Sequence, residues 1–304
     1  MKEKIEELYS IHITKEEKLS DKVTKIYDNE KKYVLKEHET NLNNIYTRLY
    51  MSRVDYFLLP LKSINNIYVE EIDDKFYSLS VFEEDEQAKI DDIRLRFYIL
   101  SLASLHQNSS YPIKGNDGYI DQLISFLEDN IEKNIATLNT RMERIEHQDY
   151  HAPGEWFFYD NFSSIMEGYN LAKAHLQEVE ELFKKVSSFS LCLTYQNYEI
   201  SHIIINKGKI ISLDKMNIAP SCYDISDFIL KTYKDNVDFS SLIKEYLNNY
   251  KMNEEDKHLL LVLILSPLIE FTNDDLEDFE MIYDKLKLID VVKEIEKLIL
   301  STSD

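Results

Sequence analysis

Glycine and proline are scarce, five of each in 304 residues, so the chain lacks the breakers that mark linkers and disordered tracts. No glycine precedes Gly115, which deprives the first hundred residues of the residue type that lets backbone N–H groups approach a phosphate closely. Cysteine is limited to Cys192 and Cys222, too few for a disulfide framework and too far apart for a metal knuckle; buried free thiols in a reducing compartment are expected. Basic residues number 35 against 56 acidic ones, a net charge of −21, and this average surface repels phosphate backbones and anionic headgroups. The clusters Lys31-Lys32 and Lys184-Lys185 make no basic stripe, so neither nucleic acid nor a membrane is expected as a partner. The longest apolar run, Leu259 to Leu265, is too short to span a bilayer, and MKEKIEELYS lacks the apolar core of a signal peptide. A cytoplasmic protein is the expectation.

What is present suffices for a large core, with 44% hydrophobic residues over a length that permits two lobes. Short runs rich in β-branched and aromatic residues, Lys22 to Tyr27, Lys32 to Lys36, Ile67 to Ile72 and Phe76 to Phe82, read as strands. Between the second and third lies Asn41 to Arg53, where Leu42, Ile45, Leu49 and Met51 predict an amphipathic helix. After the acidic stretch Glu83 to Glu86 the period becomes helical, with Ile90, Ile93, Phe97 and Leu100 on one side. A loop carrying Pro112, Gly115 and Gly118 leads to a long helix from Tyr119 to about Gln148, broken by Pro153, and another helix runs from about Asn161 to Val186. Apolar strands at Ser190 to Tyr195, Ile203 to Ile205 and Lys209 to Leu213 follow, with Lys207-Gly208 as a hairpin turn, and the remainder reads as helical. The prediction is an α+β, two-lobed protein-kinase-like fold. A small amino-terminal antiparallel sheet lobe (1–85) precedes a larger, mainly helical lobe (86–304) that contains a β-hairpin segment at 190–215.

The segment Leu193-Thr-Tyr-Gln-Asn-Tyr-Glu-Ile-Ser-His-Ile-Ile-Ile205, followed by Gly208-Lys-Ile-Ile-Ser-Leu-Asp-Lys215, resembles the active-site segment of aminoglycoside phosphotransferases, choline kinases and CotS-like spore-coat proteins. Those families carry an apolar strand, His-Gly-Asp, four residues, Asn, an apolar run, a turn and an apolar strand ending in Asp. Tyr33-Val-Leu-Lys36 is similar to their strand bearing a nucleotide-contacting lysine, Leu102-Ala-Ser-Leu-His106 to their Leu-x-x-Leu-His helix, and Ala219-Pro220 with Asp224 and Asp227 to their Pro followed by Asp-Leu-Ala. The stretch from Arg144 to Pro153 also resembles CotS-like proteins, and the likeness covers roughly residues 20 to 235.

The resemblance implies ATP and Mg2+ as cofactors, or none if the site has decayed, with Lys36 and Asp214 at the nucleotide and Asp214 and His202 at the metal. It puts Asn197 at the catalytic base, where phosphoryl transfer needs a carboxylate to accept the nucleophile's proton; an amide is not basic. His202 offers nitrogen where Mg2+ prefers oxygen. The helix expected to pair an acid with the strand lysine has no acid, leaving Glu37 and Glu39 nearest to Lys36 in sequence. The expectation is therefore a pseudokinase that binds a protein partner, in a spore coat if the CotS likeness extends that far, with a homodimer through the carboxy-terminal helices as a further expectation. The alternative is an atypical ATP-dependent small-molecule phosphotransferase using a displaced base such as Glu199.

His147, Asp149 and His151 are read as surface polar residues because Pro153 interrupts the helix a metal pair would need. Trp156-Phe-Phe-Tyr159 with Phe162 is read as a helix-anchoring core patch. Asp224 and Asp227 are read as a helix cap and its dipole-favouring neighbour.

Overall fold

The computed structural model describes residues 1–304 except 30, 85–88, 115–117, 186–187, 273 and 302–304. The expected lobe boundary after residue 85, the acidic residue Glu86, Gly115 of the expected loop and the expected helix end at Val186 lie outside the described residues. In chain order the elements begin with α1 (Lys2–Tyr9), β1 (Lys15–Ser20), β2 (Val23–Asp28), β3 (Lys31–His38), α2 (Asn43–Met51), β4 (Glu70–Ile72), β5 (Lys75–Val81) and α3 (Asp92–Ser109). Next come β6 (Tyr111–Lys114), α4 (Tyr119–Glu146), α5 (Pro153–Lys185) and β7 (Ser188–Thr194). The chain continues through β8 (Ile203–Ile204), β9 (Lys209–Ile210), β10 (Asn217–Ala219), α6 (Cys222–Thr232), α7 (Phe239–Asn249), α8 (Glu254–Leu265) and α9 (Asp275–Leu300). The result is α+β and kinase-like: a small antiparallel sheet lobe and a larger helical part.

Two compact units emerge, Met1–Ser110 with Cys192–Ala219, and Tyr111–Leu191 with Pro220–Asp304. In the first, an antiparallel sheet runs in the order β1-β2-β3-β5-β4. Side chains alternate across a strand, so Tyr33 and Leu35 of β3 share one face with Tyr77 and Leu79 of β5. That face is buried under α1, with Ile5, Ile13, Ile26 and Ile72 completing the cluster. Each such aliphatic side chain contributes about 1.5–3 kcal/mol when withdrawn from water. The intervening residues, Val34 and Lys36 of β3 and Ser78 and Ser80 of β5, face the other way and build the candidate site. The β4–β5 turn places Asp73 and Asp74 at φ 53° and 61°, the positive pair of a two-residue hairpin turn. Asp91 caps α3 by accepting the Arg94 N–H.

Three differences from the sequence expectation lie in this unit. α1 was not expected, although its Ile5, Leu8 and Tyr9 stand at helical spacing and pack on the sheet, and every residue of β1 is exposed, so β1 displays no apolar period. The buried face of α2 is Leu42, Tyr46 and Leu49; Met51 is exposed rather than buried. The β8–β9 hairpin turns through a 3-10 turn at Ile205–Lys207 before Gly208 at φ 60°, longer than the two-residue turn expected.

In the second unit α5 packs against α4, α8 and α9. Gly168 of α5 permits the approach of α9, because a Cβ there would sit 2.6 Å from Ile289 Cδ1. α8 is apolar around its whole circumference from Leu259 to Leu265 and is correspondingly buried. Pro153 opens α5 rather than merely ending α4: a proline at the first helical position forfeits an N–H that has no helical partner anyway. Trp156-Phe-Phe-Tyr159 is therefore helical; Phe157 stacks on Phe279 at 4.4 Å and Phe158 is buried, whereas Trp156 and Tyr159 stay exposed. α6 begins after Ser221, so Asp224 lies in its first turn and is not its cap. β6 and β10, each pairing with one half of β7, replace an expected loop and part of an expected helix. Both cysteines are buried free thiols. Among the described residues no helix is long and apolar enough to cross a membrane.

Candidate functional site

Every residue singled out by the resemblance for phosphotransfer belongs to the first unit. β3 presents Lys36 opposite Ser78 of β5 and Val23 of β2, and its Nζ donates to Asp214 Oδ1 at 2.6 Å and to Ser212 Oγ at 3.2 Å. Ser212 sits after β9 at φ 62°, a left-handed kink that starts the 3-10 turn Leu213–Lys215 carrying Asp214. Burial alone would raise the Asp214 carboxyl, but attraction to Lys36, the hydrogen bond from it, a backbone N–H and His38 outweigh burial and hold its pKa below the ordinary value.

Neither acid near Lys36 in sequence reaches it. Glu37 accepts from Lys75 at 2.9 Å and Glu39 from Lys22 at 2.5 Å. In place of an acid, α2 turns Tyr46 toward the site; burial first, then the Asp214 charge, pushes its hydroxyl pKa up, so it stays neutral. His38, whose Nε2 lies 2.7 Å from Ser78 Oγ, has its pKa lowered chiefly by burial, with Asp214 opposing.

Behind the lysine lies a closed polar chain. The Asn197 Nδ2 donates to the Ser212 carbonyl at 2.8 Å, and the Tyr195 hydroxyl donates to the Ile211 carbonyl at 2.7 Å. His202 Nδ1 is 3.0 Å from the Asn197 carbonyl and 3.1 Å from Tyr195 Oη. A carbonyl can only accept, so the proton rides on Nδ1 and the lone pair on Nε2. Burial lowers the His202 pKa most, against the Asn197 carbonyl, Glu199 and Asp214, which raise it, so the ring is neutral near pH 7. Gln196, between Tyr195 and Asn197, holds φ 47°, a conformation glycine adopts without strain. Glu199 is exposed.

In front of Lys36 is a cavity of about 180 Å³ whose apolar walls include Leu19, Val23, Val34, Leu58, Phe82 and Ile211, with the Lys36–Asp214 pair, Glu83, Ser78 and Ser80 as its polar part. An apolar lining with a few polar groups at one end suits a small heteroaromatic ring. The donor set does not suit Mg2+, which demands several oxygens in near-octahedral array. Asp214 has one oxygen committed to Lys36, and the amide nitrogen of Asn197 is committed to Ser212. His202 supplies nitrogen, and among the described residues no group of three His, Cys, Asp or Glu is arranged to hold a metal.

Sequence reasoning named Lys36, Asn197, His202 and Asp214, and the structure brings them into one connected network. It missed Tyr46, Tyr195 as a bridging hydroxyl, His38 and Ser212. Only Tyr46 had a signal, the 42-46-49 spacing that fits a helix face better than a face including Met51.

The architecture is that of the kinase-like phosphotransferases of small molecules. An aminoglycoside phosphotransferase from Alicyclobacillus acidocaldarius superposes with a TM-score of 0.65 at 9% identity over 97% of this chain and 92% of that one. Spectinomycin phosphotransferase, solved with ADP and spectinomycin, gives 0.57 at 12% identity over 96% and 97%. A microcompartment-associated aminopropanol kinase gives 0.55 at 10% over 99% and 97%. At these identities the likeness is one of fold. No protein-family model matches the sequence, and no curated protein matches it.

Proposed function

We propose that the chain is a pseudokinase: a kinase-like module that has kept a cavity beside Lys36 and lost the means of phosphoryl transfer, and that acts by binding another protein. The observation that carries this reading is Asn197. Its buried amide donates to the Ser212 carbonyl, so the group at the base position is neither basic nor free to turn toward a nucleophile. ADP in one structural neighbour and AMP in another support a purine nucleotide as the ligand of the cavity. Spore-coat assembly is the setting that the CotS-like residues imply, and a second copy of the chain is a further candidate partner.

The rival, an ATP-dependent small-molecule phosphotransferase with Glu199 as displaced base, draws on the activities of the fold neighbours. Incubation of the purified protein with ATP, Mg2+ and a panel of amino alcohols and aminoglycosides separates the two. No consumption of ATP above buffer is expected. Turnover that vanishes in Lys36→Ala and in Glu199→Gln would establish the enzyme instead.

A further inference from the structure

We propose that this cavity takes its nucleotide without a divalent cation, the Lys36 ammonium supplying the charge that a metal ion supplies in a working kinase. The inference rests on the nucleotide-binding part of the reading above and concerns how that same site is filled.

Three features of the site combine. The nearest oxygen of Asp214 is 2.6 Å from Lys36 Nζ, so a hard cation arriving at that carboxylate meets an ammonium already in contact with it. His202, at the second metal position, spends Nδ1 on the Asn197 carbonyl and the Tyr195 hydroxyl and leaves only an imidazole nitrogen, a poor ligand for Mg2+. The other cations beside the β1–β2 turn are engaged by acids on that same surface, Lys18 with Asp21 at 2.8 Å and Lys22 with Glu39 at 2.5 Å. Among the described residues that line the cavity Lys36 is the one cation, beside two acids, Asp214 and Glu83.

Asp214 then has a role opposite to the one it would play in a metal-dependent enzyme. There the carboxylate holds the ion that holds the phosphates, and its loss removes binding. Here the carboxylate competes with the phosphate for the same ammonium, occupying Lys36 until an anionic ligand displaces it. Neutralising Asp214 without changing its shape should release Lys36 and tighten the site for anions.

The test is the thermal shift and the titrated Kd of purified wild type, Asp214→Asn and Lys36→Ala, with ATP and ADP, in EDTA and in Mg2+. The expected result is stabilisation by nucleotide in EDTA at least equal to that in Mg2+, a Kd about fivefold lower in Asp214→Asn, as expected when a competing half-buried ion pair is removed, and loss of binding in Lys36→Ala. Stabilisation that requires Mg2+ and disappears in Asp214→Asn would overturn the metal-free inference and leave nucleotide binding intact. No shift with either nucleotide, in wild type and in Asp214→Asn shown to be folded by circular dichroism, would overturn the inference and remove nucleotide from the reading, while the absence of phosphotransfer would stand on its own assay.

Discussion

Buried charge is handled in two ways, by pairing around Lys36 in the first unit and by discharge at Lys285 and Asp256 in the second, which also holds a buried ion pair between Arg141 and Asp278 at 2.9 Å. In the first, Lys36 is met by a carboxylate and a hydroxyl, and each polar group around it answers another: Asn197 with the Ser212 carbonyl, Tyr195 with the Ile211 carbonyl, His202 with the Asn197 carbonyl. In the second, Lys285 of α9 is buried where its ammonium meets the Leu265 carbonyl at 2.7 Å and the face of Tyr169 at 4.6 Å, and burial drives its pKa down to about 7. Asp256 of α8 accepts from Ser221, and burial raises its pKa to about 7. Burial pushes these two groups of the helical unit toward neutrality, whereas Lys36 and Asp214 carry opposite charges that offset one another. The first arrangement suits a site that must receive a charged ligand; the second suits a core that tolerates an ionisable group by discharging it.

Placing a carboxylate at residue 197, where the resemblance puts a catalytic base, is the strongest way to break that contrast. Asn197→Asp would set an anionic oxygen against the Ser212 carbonyl in place of a donor at 2.8 Å, within a buried site. The expected cost is about 3 kcal/mol, typical of an uncompensated buried charge, visible as a lowered urea midpoint at pH 8 and partly recovered at pH 4 as the carboxyl protonates. No ATP consumption should appear. A stable Asn197→Asp protein that turns over ATP would show that the network bends to accept a carboxylate base.

The two lysines provide the next test, because methionine should act on them with opposite signs. Lys285 has its folded pKa lowered to about 7, so between there and the ordinary lysine value the unfolded chain binds a proton that the native chain does not. Stability therefore rises with pH across that window, and the cost of burial is present in full below it. Lys285→Met should flatten this slope and raise stability at pH 6, the shift corresponding to about 5 kcal/mol at about 1.4 kcal/mol per pKa unit, of which the lost hydrogen bond and the lost contact with the Tyr169 face take back roughly half. Lys36→Met should instead destabilise by about 1 kcal/mol or less, since it strands Asp214, whose one-third exposure lets water screen it. Denaturant melts at pH 6 and pH 9 check both, and the same sign for the two substitutions would erase the distinction.

How much of this could be read from the sequence follows the same physical division. β2 through β5 stood out by their β-branched and aromatic content and α2, α4 and α5 by their period; α3 was legible as a helix but on the wrong side, since Ile90 and Ile93 are exposed and Leu95, Tyr98, Ile99 and Leu102 are buried. β1, Lys-Glu-Glu-Lys-Leu-Ser, gave no signal because a wholly exposed edge strand places no demand on side-chain type. β10 is three residues long, and Pro112 masked β6 because proline is a weak strand former everywhere except at an edge. In the site, the resemblance pointed to Lys36 and Asp214 but not to their pairing across 178 residues, which depends on the left-handed turn at Ser212 that no serine announces.

The smallest effect expected concerns Gln196, a residue with a Cβ in the left-handed region that glycine favours. At φ 47° a residue with a Cβ carries about 1 kcal/mol of strain that glycine would relieve, but Gln196 also donates from Nε2 to Thr194 Oγ1 at 2.6 Å, a bond worth a similar amount. Gln196→Gly should therefore shift the melting temperature by no more than a few degrees. Gln196→Ala keeps the strain and loses the bond, so it should be the less stable of the two. If alanine and glycine are equal, the left-handed backbone at 196 is not strained, and the turn that holds Asn197 against Ser212 is set by the surrounding hydrogen bonds alone.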